Sequence, residues 1–303
     1  MRIGVLTSGG DSPGMNAALL GACRAAESRG HVLLGIARGY QGLLGGELRP
    51  LSSPEVLVRL SESGTLLGTS REPRMRSEEG IDAAAAAVRS LGDALLVVGG
   101  KGSLTAAARI AAQGVSVFGI PGTIDGDMNY PTATLGMDSA VNYGARIIDD
   151  LRVSALAMPG RYFLVETLGG DTGHLARATA RVAGCELVIT QDEPFDAAAF
   201  ARRMRAALER DRFCIAVLAE GVGFATHIGA ELERQLGARV RPTIIGHSMR
   251  AAPPSAFDRR LGLEMGEQAV KLALEGAPSC MIGYDLGAGL RSHGFAGTLG
   301  EQD

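Results

Sequence analysis

Short apolar runs alternate along the chain with longer segments whose apolar residues recur at helical spacing. The runs have the length of buried strands, and they cover residues 2–7, 31–37, 93–98, 115–120, 162–167, 186–190, 213–219 and 239–245. Helical spacing predicts helices from about residue 16 to residue 27 and over residues 80–91, 142–152, 174–183, 195–210, 228–236 and 259–274. Strands and helices that alternate at these lengths favour an α/β fold with mostly parallel sheets and right-handed crossovers.

The composition is that of an ordinary globular chain, and its 303 residues suffice for one large or two ordinary domains. A net charge of −3 predicts no basic surface and therefore no nucleic-acid partner. No apolar run reaches the ~20 residues of a membrane span, and the N-terminus lacks the layout of a signal peptide. The cysteines lack C-x-x-C spacing, which indicates neither zinc nor a disulfide framework and favours a cytoplasmic location; they are Cys23, Cys185, Cys214 and Cys280.

Two predicted strands run directly into glycine turns that precede a helix. Residues 9–10 are Gly-Gly after the first strand, and residues 99–103 read Gly-Gly-Lys-Gly-Ser after the strand over 93–98. Glycine lets backbone amides approach an anion, and the N-terminus of the following helix adds a favourable dipole. One such turn is as often a plain tight turn, but two that point the same way favour a polyphosphate site.

Three arginines lie close together in a polar, glycine-containing segment over residues 61–76: Arg71, Arg74 and Arg76. Guanidinium groups match the geometry of phosphate oxygens, so this segment is a candidate phosphate clamp. A solvated basic loop is the alternative interpretation.

The strand over 115–120 is predicted to end in a turn over residues 121–127, which read Pro-Gly-Thr-Ile-Asp-Gly-Asp. Ligands of open α/β sheets bind beyond the carboxyl ends of the strands, so this turn is expected to face a crevice. Asp125 and Asp127 with the hydroxyl of Thr123 suit general-base work on a substrate alcohol. An acidic turn in which aspartate is only a local cap is the alternative.

Taken together, these segments resemble the ATP-dependent 6-phosphofructokinase family over nearly the whole chain. The resemblance is carried, in the family's order and spacing, by residues 4–11, 13–16, 39–43, 64–71, 99–100 and 121–125, by Glu220, and by residues 246–247 with Arg250. It implies two Rossmann-like α/β domains with the active site in the cleft between them. Residues 1–138 plus 251–303 would form the ATP-binding domain, and residues 139–250 the sugar-phosphate-binding domain. It also implies a homo-oligomer, a tetramer or a dimer, in which an arginine reaches a neighbour's sugar-phosphate site.

The resemblance assigns a role to each matching position. Asp125 would be the general base that takes the proton of the acceptor hydroxyl, with Thr123, Asp127 and Arg71 as its catalytic neighbours. The donor ATP would be held, with Tyr40 near its base, by Gly10, Tyr40, Arg71, Glu72, Lys101, Gly102 and Ser103. The sugar phosphate would contact Thr123 and Asp125, the loop of Leu168, Gly169 and Gly170 with Glu220, and a phosphate grip of Arg161, Arg241, His247 and Arg250. Three arginines and a histidine on one spot are costly to hold together without an anion, which favours an acceptor that already bears a phosphate.

The chain departs from the family pattern around the transfer centre. Lys101 stands where the family has an aspartate that helps to hold Mg²⁺, although 28 of the 30 basic residues are arginine. A lysine there removes a metal ligand and supplies a fixed cation, which marks either a partial substitute for Mg²⁺ or a loss of kinase activity. Gly170 replaces an arginine near the sugar, and Ala-Ala-Pro-Pro at 251–254 replaces Gly-Gly-Ser-Pro. Glycine at positions 102 and 122 fits ATP as the donor and not diphosphate.

Three functions follow from this reading. The first is phosphoryl transfer from Mg-ATP to a sugar phosphate, fructose 6-phosphate or a relative. The second is a sugar-phosphate-binding or regulatory protein without turnover, which Lys101 and Gly170 motivate and which the retained Asp125, Thr123 and Arg71 oppose. The third is a nicotinamide dehydrogenase, but the chain lacks a clean G-x-G-x-x-G with a ribose-binding acid about 20 residues further on.

Overall fold

The computed structural model describes residues 1–128, 132–285 and 287–295, and the chain divides into two compact units. Unit 1 comprises Met1–Asp138 and the chain from Pro253 onward, and unit 2 comprises Ser139–Ala252. Among the helices of the described residues, none combines the length and the apolar character that a bilayer crossing requires.

The strands, in chain order, are β1 (Arg2–Ser8), β2 (Val32–Ile36), β3 (Leu48–Leu51), β4 (Ala94–Gly99), β5 (Val117–Thr123), β6 (Leu135–Gly136), β7 (Arg161–Thr167), β8 (Leu187–Ile189), β9 (Phe213–Ala219), β10 (Val240–Ile244), β11 (Cys280–Asp285) and β12 (Gly289–His293). The α-helices are α1 (Met15–Glu27), α2 (Gly39–Gly45), α3 (Ser53–Leu57), α4 (Glu78–Leu91), α5 (Lys101–Ala112), α6 (Met137–Ala157), α7 (His174–Val182), α8 (Ala197–Asp211), α9 (Ala225–Leu236) and α10 (Ala256–Leu274). Short 3₁₀ turns cover Pro73–Arg76, Glu220–Val222 and Gly246–Met249.

Unit 1 is built on one sheet of order β12-β11-β5-β4-β1-β2-β3, with β6 paired to the end of β5. The pairs β2–β3 and β11–β12 are antiparallel, and the other pairs are parallel. The central strand β4 is buried along its whole length, because helices cover both faces of the sheet. Residues of α1 and α10 contribute to the core on one face, and residues of α2, α4 and α5 to the core on the other.

Unit 2 has a parallel sheet of order β10-β7-β9-β8. Alternate residues of β9, Cys214, Ala216 and Leu218, enter a core that includes Phe200 of α8 and Leu232 of α9. β10 is a polar edge strand with Pro242 at its centre. Proline is tolerated in an edge strand because one side of the strand makes no sheet hydrogen bonds.

The predicted α/β class with mostly parallel sheets is confirmed, but the predicted end of the strand before Asp125 was wrong. The strand was expected to stop at residue 120, whereas β5 continues through Pro121 and Gly122 to Thr123. Pro121 lies opposite Gly99 of β4, and Gly122 and Thr123 then pair with β6, which takes over as a partner. The turn that carries Asp125 therefore starts only at residue 124.

Candidate active site

Three parallel strands of unit 1 end side by side at one edge of the sheet. Ser8 of β1 lies opposite Gly99 of β4, and Gly99 lies opposite Pro121 of β5. The segments that follow these strands, residues 9–14, 100–103 and 124–127, therefore start from the same edge. This is the edge at which α/β sheets bind their ligands.

The two glycine turns touch each other at this edge. A Cβ atom on Gly99 would lie 2.5 Å from the carbonyl oxygen of Ser8 and 2.9 Å from Cβ of Ser103, so a side chain at Gly99 would push these segments apart. A Cβ atom on Gly9 would in turn lie 3.1 Å from Oγ of Ser103. Gly10 and Ser103, both predicted donor-binding residues, thus belong to adjoining turns.

Arg71 is brought to the same place by the segment over residues 65–72. The amide of Gly9 donates to the carbonyl oxygen of Ser70 at 3.2 Å, and the hydroxyl of Thr7 donates to the carbonyl oxygen of Gly68 at 2.9 Å. These bonds hold Ser70 against the glycine turn after β1. Arg71, the next residue, is exposed.

Glu72 is used locally. Its carboxylate accepts bonds from the backbone amide and from Nε of Arg74, at 3.2 and 2.9 Å, and so caps the 3₁₀ turn over Pro73–Arg76. The side-chain hydrogen bond with Arg74 lowers the pKa of Glu72 below its ordinary value. The structure thus gives Glu72 a capping role, and its predicted contact with the donor stays a prediction.

Tyr40 is predicted to lie near the donor base, and this contact stays a prediction; the structure shows that the side chain is buried. The side chain is only 2% exposed, and burial raises the pKa of its hydroxyl above the ordinary value. The hydroxyl donates to the carbonyl oxygen of Ser103 at 2.8 Å. Tyr40 lies at the start of α2, which begins at Gly39, three residues after Ile36 at the end of β2. Its ring belongs to the core on this face of the sheet, and its hydroxyl contacts the first turn of α5.

The segment after β5 gathers the predicted catalytic residues. The backbone amide of Asp125 donates to Oγ1 of Thr123 at 3.2 Å, and the Thr123 hydroxyl donates to Oδ1 of Asp127 at 3.4 Å. Thr123 is itself fixed, because the hydroxyl of Thr134 donates to its carbonyl oxygen at 2.7 Å. A Cβ atom on Gly100 would lie 3.5 Å from Cβ of Thr123, so this acidic turn adjoins the glycine turn after β4. A general base beside a phosphate-binding turn suits proton abstraction coupled to phosphoryl transfer.

The turn after β4 does not fit the Mg²⁺ ion that the resemblance implies. Mg²⁺ prefers oxygen ligands, and the first residue of α5 is Lys101, which offers an ammonium group. In the part of the chain that the structure describes, no three His, Cys, Asp or Glu side chains are grouped so as to hold a metal ion.

In unit 2, Glu220 organises the predicted sugar loop. Its Oε1 atom accepts hydrogen bonds from the amides of Gly169 and Gly170, at 2.9 and 2.7 Å. Glu220 directly follows β9 and the loop directly follows β7, so both belong to the carboxyl edge of this sheet. The Leu168 side chain is buried beside them.

The four predicted phosphate-gripping residues do not come together within one chain. Arg161 begins β7, and Arg241 lies opposite Phe163 near the start of β10. Repulsion from Arg161 adds to desolvation, the larger effect, in lowering the pKa of Arg241 below its ordinary value. His247 and Arg250 follow the other end of β10, where the amide of Ile245 donates to the carbonyl oxygen of Glu166. Along the backbone, Arg241 lies about 13 Å from Ile245 and Arg161 about 17 Å from Glu166, so the two pairs belong to opposite ends of these strands.

Asn16 lies in one of the motifs that carry the family resemblance, at a position for which the sequence predicted no role. Its side chain is 2% exposed; Nδ2 donates to the carbonyl oxygen of Arg59 at 3.1 Å, and Oδ1 accepts from the amide of Leu66 at 2.8 Å. Asn16 thereby anchors the segment that leads to Arg71. The available signal was an amide side chain on the buried face of the alanine- and leucine-rich helix α1.

Comparison with known proteins places the chain in a family. The family model described as phosphofructokinase matches residues 2–273. The ATP-dependent 6-phosphofructokinase of Lactobacillus delbrueckii subsp. bulgaricus is 36% identical over 288 residues, which are 94% of this chain and 90% of that protein. The enzymes of the same name from Clostridium acetobutylicum and Thermotoga neapolitana are each 38% identical, over 94% and 93% of this chain and 90% and 89% of their own lengths.

Solved phosphofructokinases have the same fold. The Saccharomyces cerevisiae structure matches 97% of this chain with a TM-score of 0.85 at 30% identity, and the Pichia pastoris structure matches 97% with a TM-score of 0.88 at 28% identity. This chain spans 44% and 35% of those two chains. A pyrophosphate-dependent phosphofructokinase from Marinobacter aquaeolei, 21% identical over 96% of this chain and 81% of its own, shares the fold with a TM-score of 0.84. From the family match and the 36–38% identical relatives, the chain belongs to the phosphofructokinase family.

Proposed function

We propose that this chain transfers the terminal phosphoryl group of ATP to a hydroxyl of fructose 6-phosphate. The observation that carries the proposal is the contact between the Thr123–Asp125 turn and the glycine turn after β4, which joins a base to a phosphate-binding segment. Unit 1 is the donor-binding domain in this proposal, and unit 2 is the sugar-phosphate-binding domain. The three bacterial relatives of 36–38% identity are named ATP-dependent 6-phosphofructokinases, which does not favour the alternative of a binding protein without turnover.

Asp125 is the general base of the proposed reaction. It takes the proton of the acceptor hydroxyl as that oxygen forms a bond to the terminal phosphorus of ATP, and the bond to the bridging oxygen breaks, so that ADP leaves with the electron pair. Thr123 holds the amide of Asp125 and orients Asp127. Arg71 and the amides at the start of α5 offset the negative charge on the phosphates. The reaction is assigned only to these groups, because the turn after β4 does not fit Mg²⁺.

The acceptor phosphate is bound, in this proposal, by two copies of the chain. His247 and Arg250 come from one copy, and Arg161 and Arg241 from its neighbour. The support is their separation within a single chain, together with the mutual repulsion of Arg161 and Arg241, which an anion from a neighbouring site would relieve. Homo-oligomer formation is thus part of the proposed function, and a cytoplasmic location stays a prediction.

Phosphorus NMR of the purified protein with ATP and fructose 6-phosphate tests the proposal. We expect ADP and a new phosphate monoester to appear together. We expect Asp125→Asn to lower the rate at least ~10²-fold, the usual contribution of a positioned base. The control is Asp82→Asn, which removes an exposed carboxylate from α4 and should leave the rate unchanged. Tight binding of fructose 6-phosphate without any transfer would refute the proposal in favour of a binding protein.

A further inference from the structure

Lys101 occupies an unusual place for a cation. It is the first residue of α5, where the helix dipole is positive and a positive side chain is destabilising by a few tenths to ~1 kcal/mol. The chain uses arginine for 28 of its 30 basic residues, so a lysine at this position departs from its general composition. A compact ammonium at a glycine turn approaches phosphate as a point charge, which a planar guanidinium does not.

The start of α5 has the donors of an anion site. Its N-cap is Gly100, which has no side chain with which to cap the helix, and the first turn reads Lys-Gly-Ser, without an acid. The helices α4 and α10 differ, because serine side chains cap them and Glu78 and Asp258 lie in their first turns. Gly102 is exposed, and a Cβ atom placed on it would meet no described atom within 4 Å. An anion therefore has room to reach the amides of this turn.

A second cation adjoins this turn. Ser103 packs beside Gly9, and the Gly9 amide is bonded to Ser70, the residue before Arg71. Lys101 thus lies in one of the two adjoining glycine turns, and Arg71 follows the residue that is bonded to the other. Two positive charges near backbone amides can supply the neutralisation that a divalent ion usually gives to a polyphosphate.

We infer that Lys101 takes the place of a divalent metal ion at the donor phosphates, so that this chain binds ATP in its metal-free form. The inference rests on the proposed function, since it concerns the donor site of that reaction. It accounts for the misfit of the turn after β4 to Mg²⁺ and for the cation at the positive end of α5.

The test is calorimetric titration of the whole protein with ATP in excess EDTA and, separately, in excess Mg²⁺. We expect the wild-type Kd in EDTA to be equal to or lower than the Kd in Mg²⁺. Lys101→Met should weaken metal-free binding by about ten- to a hundredfold, because a hydrogen bond to a charged group is worth ~1.5–3 kcal/mol. Lys101→Arg should retain part of the binding, and Lys101→Asp should reverse the preference in favour of Mg²⁺.

Lys271→Met is the matched control, because Lys271 is the other lysine and lies in the last turn of α10. It should bind ATP in EDTA as the wild type does. A wild-type Kd in EDTA more than tenfold above that in Mg²⁺ would overturn the inference, and so would unaltered metal-free binding by Lys101→Met. Should Lys101→Asp not fold, the wild-type and Lys101→Met titrations decide the question.

A parallel assay of phosphoryl transfer from Mg-ATP to fructose 6-phosphate distinguishes failure of the proposed function from failure of the role inferred for Lys101. Transfer by a wild type that does not bind metal-free ATP leaves the proposed function standing and removes only the role of Lys101. Absence of both ATP binding and transfer refutes the proposed function and the inference with it.

Discussion

Glu220 shows how one carboxylate oxygen fixes a loop that has few side chains of its own. The loop after β7 contains Gly169 and Gly170, and their amides point at the same Oε1 atom. Two amide donors to one charged acceptor hold the backbone more firmly than neutral bonds do. The shape of the sugar loop therefore depends on a residue fifty positions further along the chain.

We expect Glu220→Ala to raise the KM for fructose 6-phosphate about tenfold or more and to lower the thermal midpoint. The variant removes two hydrogen bonds to a charged group, each worth ~1.5–3 kcal/mol. Steady-state kinetics and a melting curve measure the two effects. Glu220→Gln should have the smaller effect, because its amide oxygen still accepts a bond.

Glu209→Ala provides the comparison, since Glu209 is an exposed glutamate on α8. It should leave the KM unchanged. A Glu220→Ala enzyme with the wild-type KM would show that the bonds to Gly169 and Gly170 do not shape the sugar loop.

At the level of single residues, motifs predicted more than contacts. The sequence predicted that Thr123, Asp125 and the glycine turns lie close together, because the loops that follow parallel strands lie at one edge of the sheet. It did not predict that Tyr40 is buried or that Glu72 caps a turn. Both depend on local backbone direction, which residue type alone does not set.

The packing of helices α1 and α10 requires their backbones to approach each other closely. A Cβ atom on Gly266 of α10 would lie 2.1 Å from the carbonyl oxygen of Ala18 in α1. The helices can pack at this distance only because residue 266 has no side chain.

We expect Gly266→Ala to destabilise the protein by about 1–3 kcal/mol, the usual cost of overpacking, and to lower the urea midpoint. The same substitution in α9, Gly229→Ala, should stabilise the protein and raise the urea midpoint. Its Cβ atom would meet Val240 at an ordinary 3.9 Å, and alanine favours a helix over glycine by up to ~1 kcal/mol. Equal midpoints for the two variants would contradict the packing described for α1 and α10.

Helices with clear helical spacing of apolar residues were predicted, and several strands were missed. Helices α4 and α8 were expected within two residues of their observed ends. The strands β3, β6, β11 and β12 were not predicted. β3 contains Pro50 and is mostly exposed, and β12 carries the exposed Arg291 and Ser292, so neither shows the apolar run of a central strand.

At the scale of the whole molecule, the sequence predicted a phosphate grip of four cations with an arginine contributed by a neighbouring copy, but it did not say how the four cations divide between the copies. Strand direction separates them: Arg161 and Arg241 lie at the start of their strands, and His247 and Arg250 follow the end of one. Only the order and register of β7 and β10 reveal this, and no local pattern encodes register between strands that lie far apart in the chain.

We expect Arg161→Ala and His247→Ala to be inactive separately and to regain activity when they are unfolded and refolded together. In a mixed pair, one site takes its histidine from the first variant and its arginine from the second. Random pairing should restore about a quarter of the wild-type activity, since half of the pairs are mixed and each has one intact site.

Refolding each variant alone is the control and should restore nothing. Persistent inactivity of the mixture, with both variants folded and associated, would show that each chain completes its own site.

The distance between the two pairs of cations also bears on how the catalyst behaves on dilution. A site shared by two copies is lost when the copies dissociate, so turnover per subunit should fall when the protein is diluted below the dissociation constant of the pair. Substrate that binds across the two copies should reduce this loss. Bound sugar phosphate would then stabilise the association of the two copies as well as serve as the substrate.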